Sequence, residues 1–281
     1  MMKMPVEKCL VDSFELKANE DLGEGWFRLD IHAPELASKT KAGQFVQVRV
    51  DPGDTPLIRR PFSVYDLNPG PGPDATELSL LVQKVGPGTH AMEKLRPGDP
   101  INLMGPLGRP MPRPDLAEDG VLFLVGGGIG VAPLYLYCRE LASEASTIDH
   151  KVLLGARRRS LLIGHEAFER LGTPTLCATD DGSEGYSGNV IELLREQLEA
   201  LATDTSVAGI GCGPHGMNQA LRDLASDRQL RFWISLENYM PCGFGACFGC
   251  VIPAPEGQEA RYRRVCVEGP CFPVDELPTR L

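Results

Sequence analysis

Three cysteines fall within the nine residues from Cys242 to Cys250, in the segment Pro241-Cys-Gly-Phe-Gly-Ala-Cys-Phe-Gly-Cys250, and Cys266 follows after fifteen more. The pattern C-x4-C-x2-C…C is the spacing at which four thiolates reach a two-iron, two-sulfide cluster. Three ligands come from one tight loop and the fourth returns from elsewhere in the chain. Gly243, Gly245 and Gly249 are expected to supply positive φ and to bring backbone N–H groups close to the sulfur atoms. A zinc ribbon is the competing reading, but it carries two C-x2-C knuckles and only Cys247 and Cys250 form one. Cys271, five residues past Cys266, complicates the choice of fourth ligand and reads as a buried or near-cluster free thiol. The other four cysteines, Cys9, Cys138, Cys177 and Cys212, are scattered. A local cluster of this kind points to a metal site in a reducing compartment rather than to a disulfide set.

The remaining chemistry is narrowed by charge and length. A net charge of −10 repels phosphate backbones, so nucleic acid is an unsuitable partner. No stretch approaches the roughly 20 apolar residues of a membrane span. Met1 to Cys9 is interrupted by Lys3, Glu7 and Lys8 and does not read as a secretory signal, so a cytoplasmic location is expected. At 281 residues there is room for two ordinary domains and a small third module.

The patterning changes near Pro114. Before it, Glu24–His32, Gln44–Val50, Phe62–Asp66, Glu77–Lys84 and Pro100–Leu103 read as short strands, with one helical piece at Thr89–Leu95. Turn signals such as Asp51-Pro-Gly-Asp54 punctuate them, which suggests an antiparallel barrel or sandwich. After it, strands at Val121–Val125, Lys151–Leu154, Thr175–Thr179 and Val207–Cys212 alternate with helices. The helices are expected from 131 to about Ala145, and at His165–Leu171, Val190–Ala202 and Met217–Ser226. Phe232–Ser235 is a further candidate strand. Alternating βα units argue for a parallel sheet with helices on both faces. The expected division is 1–112, 117–235 and 236–281.

Two segments carry the marks of nucleotide binding. In Arg59-Arg-Pro-Phe-Ser63, Arg60 offers a planar fork for a diphosphate, Pro61 fixes the backbone, Phe62 can lie against a ring and Ser63 offers a hydroxyl. Gly86-Pro-Gly-Thr89 follows before a helix, where phosphate is well received. The strand Val121–Val125 then leads into Gly126, Gly127, Gly128, Ile129 and Gly130, a dinucleotide layout. It departs from the usual fingerprint at Val131 and Pro133, and the next strand, Leu153-Leu-Gly-Ala-Arg157, lacks an acid at its end. Cys212, Gly213 and Pro214 would place another backbone turn at the same edge of the sheet.

Taken in order, R-P-F-S, G-x-G-T, G-G-G-I-G-x-A-P and C-G-P resemble the ferredoxin–NADP reductase superfamily, in which Pro133 is expected. That resemblance implies a multi-domain β plus α/β chain: an N-terminal antiparallel FAD-binding β-barrel, a parallel α/β nicotinamide-binding domain and, here, a small C-terminal [2Fe–2S] module. The run from Ser235 to Cys250 with Arg264-Val-Cys-Val-Glu-Gly-Pro270 closely resembles the electron-transfer subunit of class B dihydroorotate dehydrogenase. Thr179-Asp-Asp-Gly-Ser183, Gly188 and Gly105-Pro-Leu-Gly108 resemble the same group.

The resemblance implies FAD contacts from Arg60, Pro61, Phe62, Ser63, Leu81, Val82, Gln83, Gly88 and Thr89. It implies NAD(H) contacts from Gly126, Gly127, Gly128, Ile129, Gly130, Ala132, Pro133, Cys212, Gly213 and Pro214, and cluster ligation by Cys242, Cys247, Cys250 and Cys266. Gln83 stands where many members carry Arg, so one flavin contact differs or moves to Lys84. The implied chemistry is hydride exchange between nicotinamide and flavin and single-electron passage to the cluster. No side chain is assigned as acid or base, and His90, His165 and His215 read as surface or cap residues. A dihydroorotate-oxidising barrel takes about 250 residues. The resemblance therefore implies a separate FMN-containing catalytic subunit, in a heterotetramer serving pyrimidine biosynthesis. The alternative is the NAD(P)H-oxidising subunit of a sulfhydrogenase or of an electron-bifurcating NADH-dependent ferredoxin–NADP reductase; a non-catalytic redox sensor or scaffold lies further off. Arg157, Arg158 and Arg159 could pair a 2′-phosphate, but the dihydroorotate group implies NADH.

Overall fold

Alternation along Trp26-Phe-Arg-Leu-Asp-Ile-His32 places Leu29 and Ile31 on one face and Arg28 and Asp30 on the other, as a barrel wall requires. The computed structural model describes residues 9–49, 58–144 and 146–281. The expected turn Asp51–Asp54 and the segment Met1–Lys8 lie outside the described residues, as do Val50 and Ala145. Strands β1 (Leu10–Gly23), β2 (Trp26–His32), β3 (Phe45–Arg49), β4 (Arg60–Asn68), β5 (Glu77–Gln83) and β6 (Pro100–Leu107) close into a barrel in the order β1-β2-β5-β4-β3-β6. Every pairing in it is antiparallel. Two short helices, α1 (Pro34–Ala37) and α2 (Pro87–Glu93), connect its strands. Leu16, Leu29, Ile31, Val46, Val64, Leu80, Val82 and Leu103 fill the interior.

The longest strand, β1, is absent from the sequence reading. Most of its side chains face solvent and only Leu16 is buried, so it offers almost no apolar period. Its place comes from pairing with β2 and β6, which removes the edges of the sheet.

The second half follows the expected alternation: β7 (Val121–Gly127), α3 (Val131–Ser143), β8 (Asp149–Ala156), α4 (His165–Arg170), β9 (Thr175–Thr179), β10 (Tyr186–Ser187), α5 (Val190–Glu199), β11 (Val207–Cys212), α6 (His215–Asp227) and β12 (Arg231–Ser235). The sheet runs β10-β9-β8-β7-β11-β12, all parallel. The C-terminal segment adds the hairpin β13 (Val251–Pro253) and β14 (Tyr262–Arg264), then α7 (Val265–Glu268) and β15 (Cys271–Pro273). Strand β15 joins the large sheet antiparallel to β12, so the cysteine segment is anchored on the sheet rather than hung from it.

Helix α3 braces barrel against sheet. Tyr135 stacks on Tyr65 of β4 at 4.6 Å between centroids, and Arg139 pairs with Asp66 at 3.4 Å. Glu140 accepts from the Ala42 backbone N–H at 2.7 Å and pairs with Arg113 at 2.6 Å. Burial pushes the Glu140 carboxyl above its ordinary value even against those partners. Among the described residues no helix is long and apolar enough to cross a membrane.

Candidate functional site

A cavity of about 500 Å³ lies between the barrel and the carboxyl ends of the parallel strands, within the range of cofactor clefts. Its barrel side is lined by Arg60, Pro61, Phe62, Ser63, Leu81, Gln83, Gly88 and Thr89. Arg60 lies across Gly88, where a Cβ would sit 2.5 Å from the Arg60 Nε, so the guanidinium can rest there only against a glycine. The Thr89 hydroxyl accepts from the backbone N–H groups of Val85 at 2.9 Å and Gly86 at 3.1 Å, which holds the loop against the cavity. The sheet side is lined by Ile129, Gly130, Ala132, Pro133 and Cys212. A cradle with the Arg60 guanidinium, the hydroxyls of Ser63 and Thr89 and a mostly apolar wall suits a flavin dinucleotide.

A second cavity, about 560 Å³, opens beside the first over Gly127, Gly128, Gly155, Arg157, Asp180 and Pro214. Gln83, Ile129 and Glu237 line both cavities, so the two form one cleft with a shared waist. Gly130 is required by contact: a Cβ there would lie 2.0 Å from the Cys212 carbonyl oxygen.

Some expected contact residues lie elsewhere. Val82 points into the barrel core because neighbours on a strand alternate, leaving Leu81 and Gln83 on the cavity. Gly126 lies within β7, where a Cβ would meet Leu154 and Leu134, and it lines neither cavity. Gly213 lines neither; it borders a third cavity with His215 and Asn218. Lys84 pairs with Glu93 at 2.7 Å and stays off the cleft, whereas Gln83 keeps its place in it.

The arginine run is divided. Arg157 lines the second cavity, Arg158 pairs with Glu24 of the barrel at 2.9 Å, and Arg159 pairs with Glu184 at 3.5 Å. The acid missing from β8 is supplied from the end of the neighbouring strand β9, where Asp180 lines the same cavity as Arg157. Trp26 and Glu237 also line it; no motif signalled Trp26, and Glu237 lies in the run from Ser235 to Cys250 without a role assigned to it. Glu237 opens onto the shared waist, where partial burial raises its carboxyl above the ordinary value.

The cysteine loop stands behind the flavin-side cavity, whose wall includes Met240 and Pro270. Its thiols meet in two pairs. Cys242 interacts with Cys247, and Cys250 with Cys266, both of the latter being buried. The pairs are close enough for Cys266 and Cys242 to interact electrostatically. Among the described residues no three His, Cys, Asp or Glu side chains are drawn together as around a single ion. Two thiol pairs instead suit a cluster of two irons, each taking two thiolates.

Backbone N–H groups converge on these sulfurs. Gly249 donates toward Cys247 Sγ at 3.4 Å and Cys266 toward Cys250 Sγ at 3.5 Å. Burial works to raise the Cys242 thiol, but N–H groups of Cys247, Phe244 and Ala246 and the Cys247 thiol outweigh it and bring it down to about 7. Burial, and then contact with Cys250, push the Cys266 thiol up. Gly243 and Gly245 have the expected positive φ of 78° and 87°, but Gly249 does not; the residue before it, Phe248, adopts 56° instead. Gly249 is needed for room, since its Cβ would press on Pro241 at 3.0 Å. Arg264 pairs with Glu268 at 2.6 Å and lies over the Phe248 ring at 5.6 Å, clasping the loop. Cys271 stands apart on β15 opposite Ser235, and it interacts electrostatically with Cys212 of the sheet.

A barrel with a flavin-sized cleft against a parallel sheet, backed by paired cysteines, is the architecture of a flavin-containing oxidoreductase of the ferredoxin-reductase fold with an iron–sulfur module. The sequence matches "Oxidoreductase FAD-binding domain" over residues 14–111, "Oxidoreductase NAD-binding domain" over 124–223 and "Iron-sulfur cluster binding domain of dihydroorotate dehydrogenase B" over 237–278. It is 34% identical over 251 residues to the "Dihydroorotate dehydrogenase B (NAD(+)), electron transfer subunit" of Desulforamulus reducens, covering 88% of this chain and 90% of that one. The protein of the same description from Shouchella clausii is 36% identical, covering 89% and 92%. The structure of an NADH-dependent reduced ferredoxin–NADP oxidoreductase aligns with a TM-score of 0.79 at 28% identity, over 95% of this chain and 90% of that one. An Amycolatopsis cytochrome P450 reductase, at 23% identity and a TM-score of 0.66 over 82% of this chain and 68% of its own, shares the fold. The chain belongs to the family of dihydroorotate dehydrogenase B electron-transfer subunits, oxidoreductase subunits built from FAD-binding, NAD-binding and iron–sulfur domains.

Proposed function

We propose that this chain passes electrons between NAD(H) and an FMN-containing catalytic subunit that oxidises dihydroorotate, in a cytoplasmic heterotetramer serving pyrimidine biosynthesis. In this reading its three units divide at 1–112, 117–235 and 236–281. FAD sits against Arg60, Pro61, Phe62, Ser63, Leu81, Gln83, Gly88 and Thr89. The dinucleotide lies over Gly127, Gly128, Ile129 and Gly130, with Ala132, Pro133, Cys212 and Pro214 around it. A [2Fe–2S] cluster is held by Cys242, Cys247, Cys250 and Cys266. Bound flavin supplies the exchange between two-electron and one-electron chemistry. The chain's own residues orient and exclude water: Arg60 anchors a diphosphate, Gly130 lets the sheet edge approach, and Glu237 guards the waist where the two ligands meet.

The observation that carries the reading is the order of these parts. The flavin-side cavity and the paired thiols share the Met240 segment as a common wall, and beyond the thiols lies solvent, where Cys247 is exposed. Tyr239 is 88% exposed and Phe248 59%, apolar surface of the sort that a partner covers. The partner's docking face in this reading is therefore the cluster loop. Asp180 beside Arg157 favours NADH, because a carboxylate accepts from ribose hydroxyls and repels a 2′-phosphate.

The purified holo-chain is expected to reduce an artificial dye with NADH and to leave dihydroorotate untouched until the catalytic subunit is added. Dihydroorotate oxidation by the chain alone would sink the proposal. The TM-score of 0.79 to an electron-bifurcating reductase favours one alternative; a glutamate-synthase-like or hydrogenase partner co-purifying with the chain would decide for that class.

A further inference from the structure

Strand β3 carries a polar residue where its pattern calls for an apolar one. Val46 and Val48 point into the barrel core, while Phe45 and Gln47 point outward at the cysteine segment. Phe45 joins Met104, Leu107, Met240, Cys250 and Cys266 in one apolar cluster. Gln47 sits beside it with 0% exposure. Its Nε2 donates to the carbonyl oxygen of Met240, across nearly two hundred residues of sequence. Its Oε1 is buried without a partner among the described residues. Gly243 makes room for the side chain, since a Cβ there would lie 2.7 Å from Gln47 Cγ.

Purely as packing this is a poor choice. The amide makes one hydrogen bond and leaves one acceptor dry, where a leucine or methionine would fill the space with nothing unsatisfied. What the amide does hold is specific. Met240 lines the flavin-side cavity, and two residues later Cys242 begins the thiol loop. Across the strand, Gln47 lies opposite Pro61 of the arginine–proline–phenylalanine–serine segment. One side chain thus ties the wall of the flavin cavity to the base of the cysteine loop.

We propose that Gln47 is a positioning residue that seats the Met240–Gly243 segment between flavin and cluster, and so sets the rate of electron passage between them and the cluster's potential. This rests on the flavin site and ligand set proposed above. The test is made on the holo-chain with Gln47→Leu and Gln47→Met, which keep bulk and remove both polar atoms. NADH delivers a hydride, hence two electrons, of which one reaches the cluster and one stays on the flavin. In rapid mixing with NADH, both variants should load flavin and iron fully and bleach flavin at the wild-type rate. Cluster bleaching should be slower by roughly 10- to 100-fold, the usual cost of losing an outer-sphere partner, with a shifted midpoint potential and altered EPR of the reduced cluster. Wild-type cluster rate, potential and EPR in either variant would overturn the proposal. Loss of iron from both variants would do so as well, by making Gln47 a folding residue. If the wild-type chain itself holds no cluster or no flavin, the underlying reading fails instead.

Discussion

Cys212, at the end of β11, and Cys242, in the cysteine loop, carry the same thiol in surroundings that drive it in opposite directions. Burial pushes Cys212 up to about 12, against a modest pull from Ser235, and burial likewise pushes Cys138 and Cys177 up to about 12. Cys242 is also partly buried, yet converging backbone N–H groups and the Cys247 thiol bring it down to about 7. Burial by itself makes a cysteine an inert hydrophobe; aimed amide dipoles make it a ligand. Cys212, Cys138 and Cys177 belong to the first kind and Cys242 to the second. Glycine makes the difference, because Gly243 and Gly245 turn the chain so that successive N–H groups face inward.

The sharpest way to break this contrast is to exchange members of the two groups. Cys266→Ser should abolish the cluster, read as loss of bound iron and of the visible circular dichroism, whereas Cys271→Ser should retain both. The reverse result would move the fourth ligand onto β15. A smaller effect is expected from Gly245→Ala, whose Cβ would lie 2.6 Å from Val267 and whose φ of 87° then costs about 1–2 kcal/mol. The cluster should form but be stripped faster by a chelator; an unchanged stripping rate would show that loop geometry is not limiting.

Removing the iron gives a finer test. In the apo-chain, alkylation of Cys242 by iodoacetamide should rise with pH through about 7 and then level off, while Cys138, Cys177 and Cys212 stay unreactive at neutral pH. Because the folded value lies below the ordinary 9.0, Cys242 contributes stability that is fully present above about pH 9 and is lost as pH falls through about 7. Apo-chain stability that rises on acidification through that window would contradict the sign. The smallest effect belongs to Ser235→Ala. It removes the one group that pulls the Cys212 thiol down, so that thiol becomes slightly harder to ionise while NADH reduction of the flavin proceeds as before.

Much of the site was legible because its residues are local. The first three cysteines of the spacing, the glycine loop after Val125 and the segment Arg60–Ser63 each lie within a few positions, and each marks a turn or strand end that backbone geometry alone demands. Asp180 was visible in Thr179-Asp-Asp-Gly-Ser183, but its role was not, since only the pairing of β8 with β9 brings it beside Arg157. Strand β1 was illegible because its outward residues are polar and it is held by its neighbours rather than by its own burial. Phe248 was missed as a left-handed position because a bulky residue rarely pays that strain; it is held there with Arg264 over its ring.

By itself, then, the sequence determined the order of the parts: an all-β first half, a βα second half, nucleotide-binding turns at the strand ends, and a loop able to gather four thiols. Short-range chemistry sufficed for most of these, because turn residues, strand periods and the spacing of Cys242, Cys247 and Cys250 act within about ten positions of one another, while Cys266 stands further along the chain. Only the tertiary structure decided which residues meet across the chain. It folded β15 back onto β12, set Cys271 near Cys212 and away from the paired thiols, and drew Gln47 from the barrel to the carbonyl of Met240. Those meetings depend on how barrel, sheet and loop pack together, and no local pattern encodes a contact that two separately folded surfaces make.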